Sequence, residues 1–431
     1  MASISAIVSE HRPDLAPLQE LYKHYHANPE LSNQEAETAA SIASRLRDIS
    51  PDMEVKTQIG GHGLAGILRN DGGHGGPTVL LRADFDALPV LERTGLPYAS
   101  TKRMRDADGV EKPVMHACGH DMHITCLLGA AQLLASARGS WSGTVVFAFQ
   151  PAEERGTGAQ AMVDDGMYDA GRHGVPVPDV ALGAHVSPFR AGVIGTRRGL
   201  IATSADSMRV TLHGRGAHAS MPGRAIDPIV MAASTVMRLQ TIVSREVDPA
   251  DSAVVTVASI HAGDAENVIP DDAKLSIDTR SVTQKTRDRV LSRIKTIVHA
   301  ESAVAMAVKE PTIEMTRSFP LTINDVNTTA KLEETFTEHF GEDKQRYDRD
   351  IPKFAASEDF SILASAVGKP YCFFMYGGTD QEKWDKANAE GVLEQDIPSN
   401  HSGLFAPVIM PTLQVGLDGY AVAALTFLKK T

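Results

Sequence analysis

Short apolar runs that each lead into acidic or histidine residues are the feature of this 431-residue sequence that most restricts its fold. The runs and the residues that follow them are 77–82 with Asp84 and Asp86, 143–149 with Glu153 and Glu154, and 179–184 with His185. Runs of this kind are typical of buried strands in a mostly parallel sheet. A stretch with helical spacing of apolar residues follows residues 118–120 and separates two of the runs. This alternation predicts an α/β domain in which a mostly parallel sheet has helices on both faces.

Residues 203–315 follow a different pattern, which predicts a second and smaller domain. Apolar and polar residues alternate over 208–212 as in a half-buried strand, and Asp227-Pro228 is typical of a helix start. The predicted order of elements, β-α-β-β-α-β, matches a ferredoxin-like α+β domain inserted into the larger one. The predicted boundaries are 1–202 and 316–431 for the larger, catalytic domain and 203–315 for the inserted domain.

The composition excludes several classes of function. Hydrophobic residues make up 42% of the chain and charged residues 22%, as in a soluble globular protein. The net charge of -12 argues against nucleic acid as a partner, because phosphate binding needs basic patches. No apolar run approaches the ~18–20 residues of a membrane span, and the N-terminus lacks a signal-peptide pattern. Three cysteines do not suggest a disulfide framework, which indicates a reducing compartment and hence the cytoplasm. Because no membrane span is predicted, no membrane partner is expected either.

Two clusters of potential ligands lie where the sites of such sheets form, at the carboxyl ends of strands. Residues 115–123 include Cys118 and His120, and a loop that enters a helix would let both side chains face one metal ion. The same residues could instead cap the helix and fill the core. In the second cluster, Glu154 could bind a metal while Glu153 acts as a base on water, although such pairs are also common in solvated loops.

Four further residues have more than one interpretation. Asp84 and Asp86 could orient a ligand histidine from behind, or they could form a turn. His185 and His401 are single histidines, and each alone is more often structural than a ligand. The glycine-rich loop at residues 214–220 lacks the lysine and spacing of a phosphate-binding loop, so nucleotide binding is not predicted.

Taken together, these motifs resemble the M20 metallopeptidase family over nearly the whole chain. The most similar branch is that of the amidohydrolases, which includes hippurate hydrolase-like, N-acyl-amino-acid and auxin-conjugate hydrolases. Each motif alone is weak, whereas their order and spacing are specific. The matching segments are 26–31 with Glu35, 82–89, 115–123, 149–154, 214–220, 267–270, 278–280, 357–360 and 399–401.

The resemblance implies a binuclear hydrolase that cleaves the amide bond of small N-acyl amino acids. It implies two divalent ions (zinc, manganese, cobalt or nickel), and the implied ligands are Cys118, His120, Glu154, His185 and His401. Glu153 matches the family's general base, and the inserted domain matches a lid and dimerisation domain. The resemblance further implies that His218 stabilises the reacting carbonyl oxygen and that Asn267 and Arg280 hold the substrate. A homodimer is the expected assembly, with a tetramer as the alternative.

Three other functions compete with this hypothesis. A dipeptidase or carboxypeptidase would use the same chemistry on a different substrate. A non-catalytic binding protein on this fold would be expected to lose the base or a ligand, whereas this sequence keeps Glu153 and all five implied ligands. Cys118 could act as a nucleophile with His120 as its base, but Glu153, Glu154, His185 and His401 would then have no explanation.

Overall fold

The computed structural model describes residues 2–70, 75–354 and 356–430, which form two compact units. The first unit comprises Met1–Ile201, Ile323–Pro352 and Asp359–Thr431. The second comprises Ala202–Thr322 and Lys353–Glu358. The predicted roles of the two units, as a catalytic domain and a lid, stay predictions.

Helices and strands alternate along much of the chain. Among the described residues the helices are α1 (Ile4–His11), α2 (Leu15–Ala27), α3 (Ala36–Ile49), α4 (His120–Ser136), α5 (Gly158–Asp164), α6 (Pro228–Thr241), α7 (Gln284–Val304), α8 (Val326–Phe340), α9 (Ile362–Ser365), α10 (Gln381–Glu390), α11 (Leu393–Asp396) and α12 (Ile409–Leu428). The strands are β1 (Glu54–Ile59), β2 (Gly63–Arg69), β3 (Thr78–Asp84), β4 (Arg103–Arg105), β5 (Glu111–Pro113), β6 (Thr144–Gln150), β7 (Val180–Arg190), β8 (Ile194–Gly195), β9 (Gly199–Ala202), β10 (Ser204–His213), β11 (Ala217–His218), β12 (Ala253–His261), β13 (Val268–Ile269), β14 (Asp272–Ser281), β15 (Thr312–Phe319), β16 (Thr322–Asn324), β17 (Tyr347–Asp348) and β18 (Tyr371–Thr379).

The first unit is built around a large sheet with the strand order β1-β2-β6-β3-β7-β18-β8-β17. Its centre, β6-β3-β7-β18, is parallel, whereas β1, β2 and the contact between β8 and β18 are antiparallel. Every residue of β6 is buried, and so is every residue of β3 except the first. Strands buried at consecutive positions have both faces covered. The predicted α/β class with a mostly parallel sheet is therefore confirmed.

The carboxyl ends of the central strands bring the acidic residues and the start of α4 to the same edge of the sheet. Asp84 is the last residue of β3, and Glu153 follows β6 in a 3-10 turn. His185 lies within β7 and not after its end, because the parallel pairing with β18 continues past Met375 opposite His185. Helix α4 begins at His120 after Gly119, whose φ of 83° suits glycine. A Cβ on Gly119 would also lie 2.4 Å from a methyl carbon of Val186.

The second unit contains a sheet with the order β12-β14-β10-β15, in which all paired strands are antiparallel. Along the chain its elements run β10-α6-β12-β14-α7-β15, so the predicted ferredoxin-like order is observed. Asp227 caps α6 by accepting the backbone N–H of Ile229, and Pro228 is the first helical residue. In the part of the chain that the structure describes, no helix has the length and apolar character needed to cross a membrane.

The N-terminal segment is fastened to the core of the first unit by an ion pair. Arg12 donates two hydrogen bonds to Asp418 in α12, at 2.8 and 2.7 Å, and Asp418 is almost fully buried. Replacing Arg12 with Met should lower the free energy of unfolding by about 1.5–3 kcal/mol, because a buried carboxylate loses its charged donor. The exposed pair between Arg190 and Asp385 has the same two-bond geometry, so Arg190→Met is a matched control with a smaller expected loss. If urea titrations showed that Arg12→Met and Arg190→Met lose the same free energy of unfolding, burial of Asp418 would not be the cause of the larger expected effect.

Candidate metal centre

The five predicted ligands lie together in the first unit. One donor atom each from Cys118, His120 and Glu154 lies within 4.8 Å of the other two. The Sγ atom of Cys118 is 3.4 Å from Nε2 of His185, and Nε2 of His401 is 3.3 Å from Oε1 of Glu154. Cys118, His120 and Glu154 are buried, whereas the His401 side chain is 56% exposed. The cluster is therefore open to solvent on the side of His401.

Three buried donor atoms of this cluster make no hydrogen bond of normal geometry with the described residues. Among the described residues, both ring nitrogens of His120 and Oε1 of Glu154 are buried without a hydrogen bond of normal geometry. An unpaired buried polar atom costs about 1–3 kcal/mol, so such atoms need an explanation. A thiol, three imidazoles and a carboxylate are ligands that zinc and similar divalent ions accept. The residues present therefore fit a metal centre.

The electrostatic environment of Cys118 disfavours a free thiolate and favours a nearby cation. Burial raises the pKa of the Cys118 thiol well above its usual range, and the carboxylates of Glu154 and Glu153 raise the pKa further. The thiol is therefore neutral in these surroundings by itself. A nearby divalent cation reverses this preference and deprotonates a coordinating thiol. The same acidic neighbours that oppose a free thiolate nucleophile favour binding of a cation.

His185 presents an unprotonated nitrogen to the cluster. Its Nδ1 atom lies 2.6 Å from the carbonyl oxygen of Val186, which can only accept, so Nδ1 carries the proton. Nε2 therefore faces Cys118 with a free lone pair. Burial, followed by the charge of His123, lowers the pKa of His185 well below its usual value, so the ring is neutral. A neutral imidazole with its second nitrogen fixed by a carbonyl is the arrangement that metal-binding histidines use.

Asp84, which the sequence singled out as a residue that could orient a ligand histidine, lies beside His120. Its carboxylate accepts hydrogen bonds from Arg82 at 2.8 Å and from His123 at 2.5 Å, and it lies 3.5 Å from Nε2 of His120. Burial alone would raise the pKa of Asp84, but the charges of Arg82, His120 and His123 hold it well below its usual value. Asp84 is thus a buried anion next to a candidate ligand, and its orienting role stays a prediction.

His123 is the residue in this region that the sequence did not single out by role. Asp84, His120, His123 and His185 also offer donor atoms within 4.8 Å of one another. However, Nε2 of His123 accepts the backbone N–H of Val186 at 2.9 Å, so Nδ1 carries the proton that it donates to Asp84. Both nitrogens are occupied, and His123 serves as a support rather than a ligand. Its three-residue spacing from His120 on one helix face was the available sequence signal.

Three of the predicted residues, His218, Asn267 and Arg280, lie in the second unit. His218 is exposed on β11, and its Nδ1 accepts the backbone N–H of Ser220 at 3.1 Å, which leaves Nε2 as the protonated donor in the neutral ring. Asn267 lies near His218, because the backbone carbonyl of Asn267 accepts the backbone N–H of Ala219, the residue after His218, at 2.9 Å. Arg280 is at the far end of β14, where it contacts Asp278 at 3.2 Å. The structure therefore brings His218 and Asn267 together, and it does not bring Arg280 to them.

Residues 80–402 match the sequence profile described as Peptidase family M20/M25/M40. The chain belongs to this family. A hippurate hydrolase from Campylobacter jejuni is 36% identical over 84% of this M20 chain and 89% of that protein. An N-acetyl-L-cysteine deacetylase from Bacillus subtilis is 39% identical over 65% of this chain, and the match spans 63% of that protein's length. Thermostable carboxypeptidase 2 from Saccharolobus solfataricus is 32% identical over 95% of both chains.

The fold of this M20 chain is also that of a solved relative. The YXEP protein of Bacillus subtilis, described as a dinuclear metal-binding peptidase of the M20 family, superposes with a TM-score of 0.71 at 26% identity. The match covers 95% of this chain and 97% of that one. The predicted family is therefore confirmed, and with it the prediction of a metal-dependent hydrolase that acts on amide bonds.

Asn400 is a second supporting residue that the sequence did not assign a role. Its Nδ2 atom donates to the carbonyl oxygens of Cys118, at 3.1 Å, and of Val186, at 3.3 Å, and it lies 3.7 Å from Sγ of Cys118. The next residue, His401, has a φ of 70° in the left-handed region, and its N–H donates to Ala117. A non-glycine residue in that region is strained, and such strain clusters at functional sites. Asn400 and His401 are thus fixed onto the loop that carries Cys118.

A buried histidine between two carboxylates predicts a pH-dependent stability. His26 lies 2.6 Å from Asp121 and 3.0 Å from Glu92, and burial alone would lower its pKa. The hydrogen bonds to Asp121 and Glu92 outweigh burial and raise the pKa of His26 to about 10. Because the folded protein holds this proton more tightly, the stabilisation is complete below the ordinary pKa of ~6.5 and is lost as the pH rises towards 10.

The corresponding test compares the wild type with His26→Gln. The difference between their free energies of unfolding should be largest at and below a pH of ~6.5 and should shrink steadily as the pH rises to about 10. Urea titrations at several pH values between these limits would measure it. A difference that stays constant over the whole range would show that His26 is not protonated in the folded protein.

Proposed function

We propose that this chain is an amidohydrolase that removes the acyl group from N-acyl amino acids with the help of two divalent ions. The ligands in this proposal are Cys118, His120, Glu154, His185 and His401. The observation that carries it is the convergence of these five donors from distant parts of the sequence. Within this cluster, both ring nitrogens of His120 and Oε1 of Glu154 are buried without a hydrogen bond of normal geometry to the described residues. Zinc, manganese, cobalt and nickel all accept such a donor set.

The proposed chemistry divides the work between the ions and Glu153. Two bound divalent ions would lower the pKa of water towards neutrality and withdraw charge from the amide oxygen. Glu153 takes the proton from the attacking water, and the oxygen of that water bonds to the carbonyl carbon. The C–N bond then breaks, and Glu153 returns the proton to the leaving nitrogen. Glu153 suits this role because it is buried next to Glu154 at the end of β6.

The names of the relatives support the proposed substrate class. Two relatives are named after hippurate and N-acetyl-L-cysteine, and both compounds are amino acids with an acyl group on the nitrogen. The relative named as a carboxypeptidase supports the second candidate, a dipeptidase or carboxypeptidase, which would break the same kind of bond with an aminoacyl group in place of a simple acyl group. Mechanism and ligands would be the same for both candidates.

The finer features of the proposal rest on the family resemblance. His218 would donate Nε2–H to the carbonyl oxygen, and Asn267 and Arg280 would bind the substrate, including its carboxylate. The protein would work in the cytoplasm as a homodimer or a tetramer. Arg280 already has a carboxylate neighbour in Asp278, so a substrate carboxylate would have to compete with it.

The test is to remove and restore the metal while release of free amine is followed. The protein is stripped with a chelator and reloaded separately with Zn²⁺, Mn²⁺, Co²⁺ or Ni²⁺. The panel holds N-acetyl, N-benzoyl and indole-acetyl amino acids together with several dipeptides. Activity that disappears with the chelator, returns with one metal and favours acyl amino acids supports the proposal. Preference for dipeptides would select the second candidate, and activity that survives complete metal removal would overturn both.

A further inference from the structure

The turn that carries Glu153 and Glu154 is held by three consecutive backbone N–H groups. The N–H of Ala152 donates to Oε1 of Glu35 at 2.9 Å. The N–H groups of Glu153 and Glu154 donate to the two oxygens of Asp86, at 3.1 and 3.2 Å. Ala152 has a φ of 49°, in the left-handed region that residues with a Cβ rarely adopt. The turn therefore depends on outside contacts to keep its shape.

Glu35 itself is rigidly placed. It is fully buried immediately before α3, and its Oε1 also accepts the N–H of Asn33 at 2.8 Å. The nearby Ser32 hydroxyl donates to Asp86 at 2.6 Å, and Leu31 forms a bridge with Ala87. The segment of residues 31–35 is thus attached to the same part of the sheet edge as the turn that it supports.

We propose that Glu35 is a positioning residue for the hydrolysis. By accepting the N–H of Ala152, it fixes the direction in which the Glu153 side chain leaves the turn. This inference rests on the proposed function, because Glu35 would position Glu153 for the proton transfer proposed there. Asp86 holds the other two N–H groups but also lies 3.4 Å from His120, so substitution of Asp86 would disturb the metal cluster as well. Glu35 is the residue through which the turn can be tested separately.

The chemistry of Glu35 supplies a conservative variant. Its second oxygen, Oε2, is buried and has no hydrogen-bond partner within residues 2–70, 75–354 and 356–430. Burial, followed by the charge of Asp86, raises the pKa of Glu35 to about 8, so the group is mostly a neutral acid at neutral pH. Glutamine has nearly the same shape, no charge and the same carbonyl oxygen for Ala152. Glu35→Gln should therefore preserve the contact that Glu35→Ala removes.

The experiment measures kcat, KM and metal content for both variants on the metal-loaded protein. A misplacement of about 1 Å in a catalytic group can cost on the order of 100-fold in rate, so kcat of Glu35→Ala should fall by roughly 10- to 100-fold. KM and the number of bound ions should stay close to the wild-type values, and Glu35→Gln should restore most of kcat. The cobalt-loaded variants should keep the wild-type absorption spectrum, since the ligands are unchanged.

Glu30, which immediately precedes the segment of residues 31–35, provides a matched control. It is also a buried glutamate that accepts backbone N–H groups, from Glu37 at 3.3 Å and Thr38 at 2.7 Å, but these belong to α3. Glu30→Ala should lower the melting temperature and leave kcat near the wild-type value. If Glu35→Ala does not fold, Glu35→Asp replaces it, because one methylene less moves the oxygens away from Ala152 and should lower kcat in the same way.

Several results would overturn the inference. Wild-type kcat in Glu35→Ala would do so, and so would a loss of bound metal in proportion to the loss of rate, which would assign Glu35 to the metal cluster. Failure of Glu35→Gln to restore kcat would exclude the hydrogen bond to Ala152 as the cause. A wild-type protein with no turnover on any substrate would instead remove the proposed function, and the inference with it. The wild-type measurement separates these two failures.

Discussion

Replacing Glu153 with Gln should lower kcat by roughly 100- to 10,000-fold, the usual contribution of a positioned general acid and base. The amide of Gln is similar in size but cannot accept and return a proton. The five proposed ligands are untouched, so the protein should keep its metal content, measured by atomic absorption. KM should change much less than kcat, because the lost step belongs to the transition state.

The neighbouring residue is the comparison that makes this prediction sharp. Glu154→Gln changes the same functional group one position further along the same turn, but it removes a proposed metal ligand. We expect this variant to lose both turnover and bound metal. If Glu153→Gln lost metal as well, or if it kept most of the wild-type kcat, the division of roles between the two carboxylates would be wrong.

The second large effect is expected from Cys118. In the cobalt-loaded protein, a thiolate ligand gives an intense sulfur-to-metal charge-transfer absorption, and Cys118→Ser should abolish it. Turnover should fall by more than the 10- to 100-fold that loss of a mere supporting partner typically costs, because a ligand itself is removed. Absorption spectra and kcat measured on the same samples would test both statements.

Cys126→Ser is the control for this experiment. Cys126 is also buried and lies in α4, but its sulfur faces the carbonyl oxygen of Leu413 at 3.6 Å and the hydroxyl of Tyr376 at 3.8 Å. Its variant should keep the charge-transfer absorption. An absorption that persists in Cys118→Ser would show that the thiol is not a ligand. Normal metal content with complete loss of activity in that variant would revive the hypothesis of a cysteine nucleophile.

The strand ends could be predicted from the sequence because a buried strand needs apolar residues at neighbouring positions. Strands β3 and β6 are covered on both faces, so apolar residues stand at consecutive positions within each strand, and Glu153 follows the run in β6. The helix start at Asp227 and Pro228 was predictable for a similar reason, since a cap and a first-turn proline are neighbours in the sequence. In each case the physical cause acts within a few residues.

No pattern among neighbouring residues marks the supporting residues of the candidate site. The role of His123 depends on the N–H of Val186, and that of Asn400 depends on the carbonyl oxygens of Cys118 and Val186. Glu35 meets the turn at Ala152, more than a hundred positions further along the chain. Such contacts arise only when separate elements pack, so composition and periodicity do not reveal them. The position of His185 inside β7 likewise depends on its pairing with β18.

The wide separation of the proposed ligands has a consequence for how the protein is made. Cys118 and His401 are 283 residues apart, so the proposed ligand set is incomplete until His401 has been synthesised. At ~5–20 residues per second, the ribosome needs roughly 15–60 s to pass from one to the other. Throughout that interval the nascent chain carries a cysteine and several carboxylates without their last histidine. In the proposed site, the full complement of metal would therefore bind only after the segment that carries His401 has been made and has packed against the loop of Cys118.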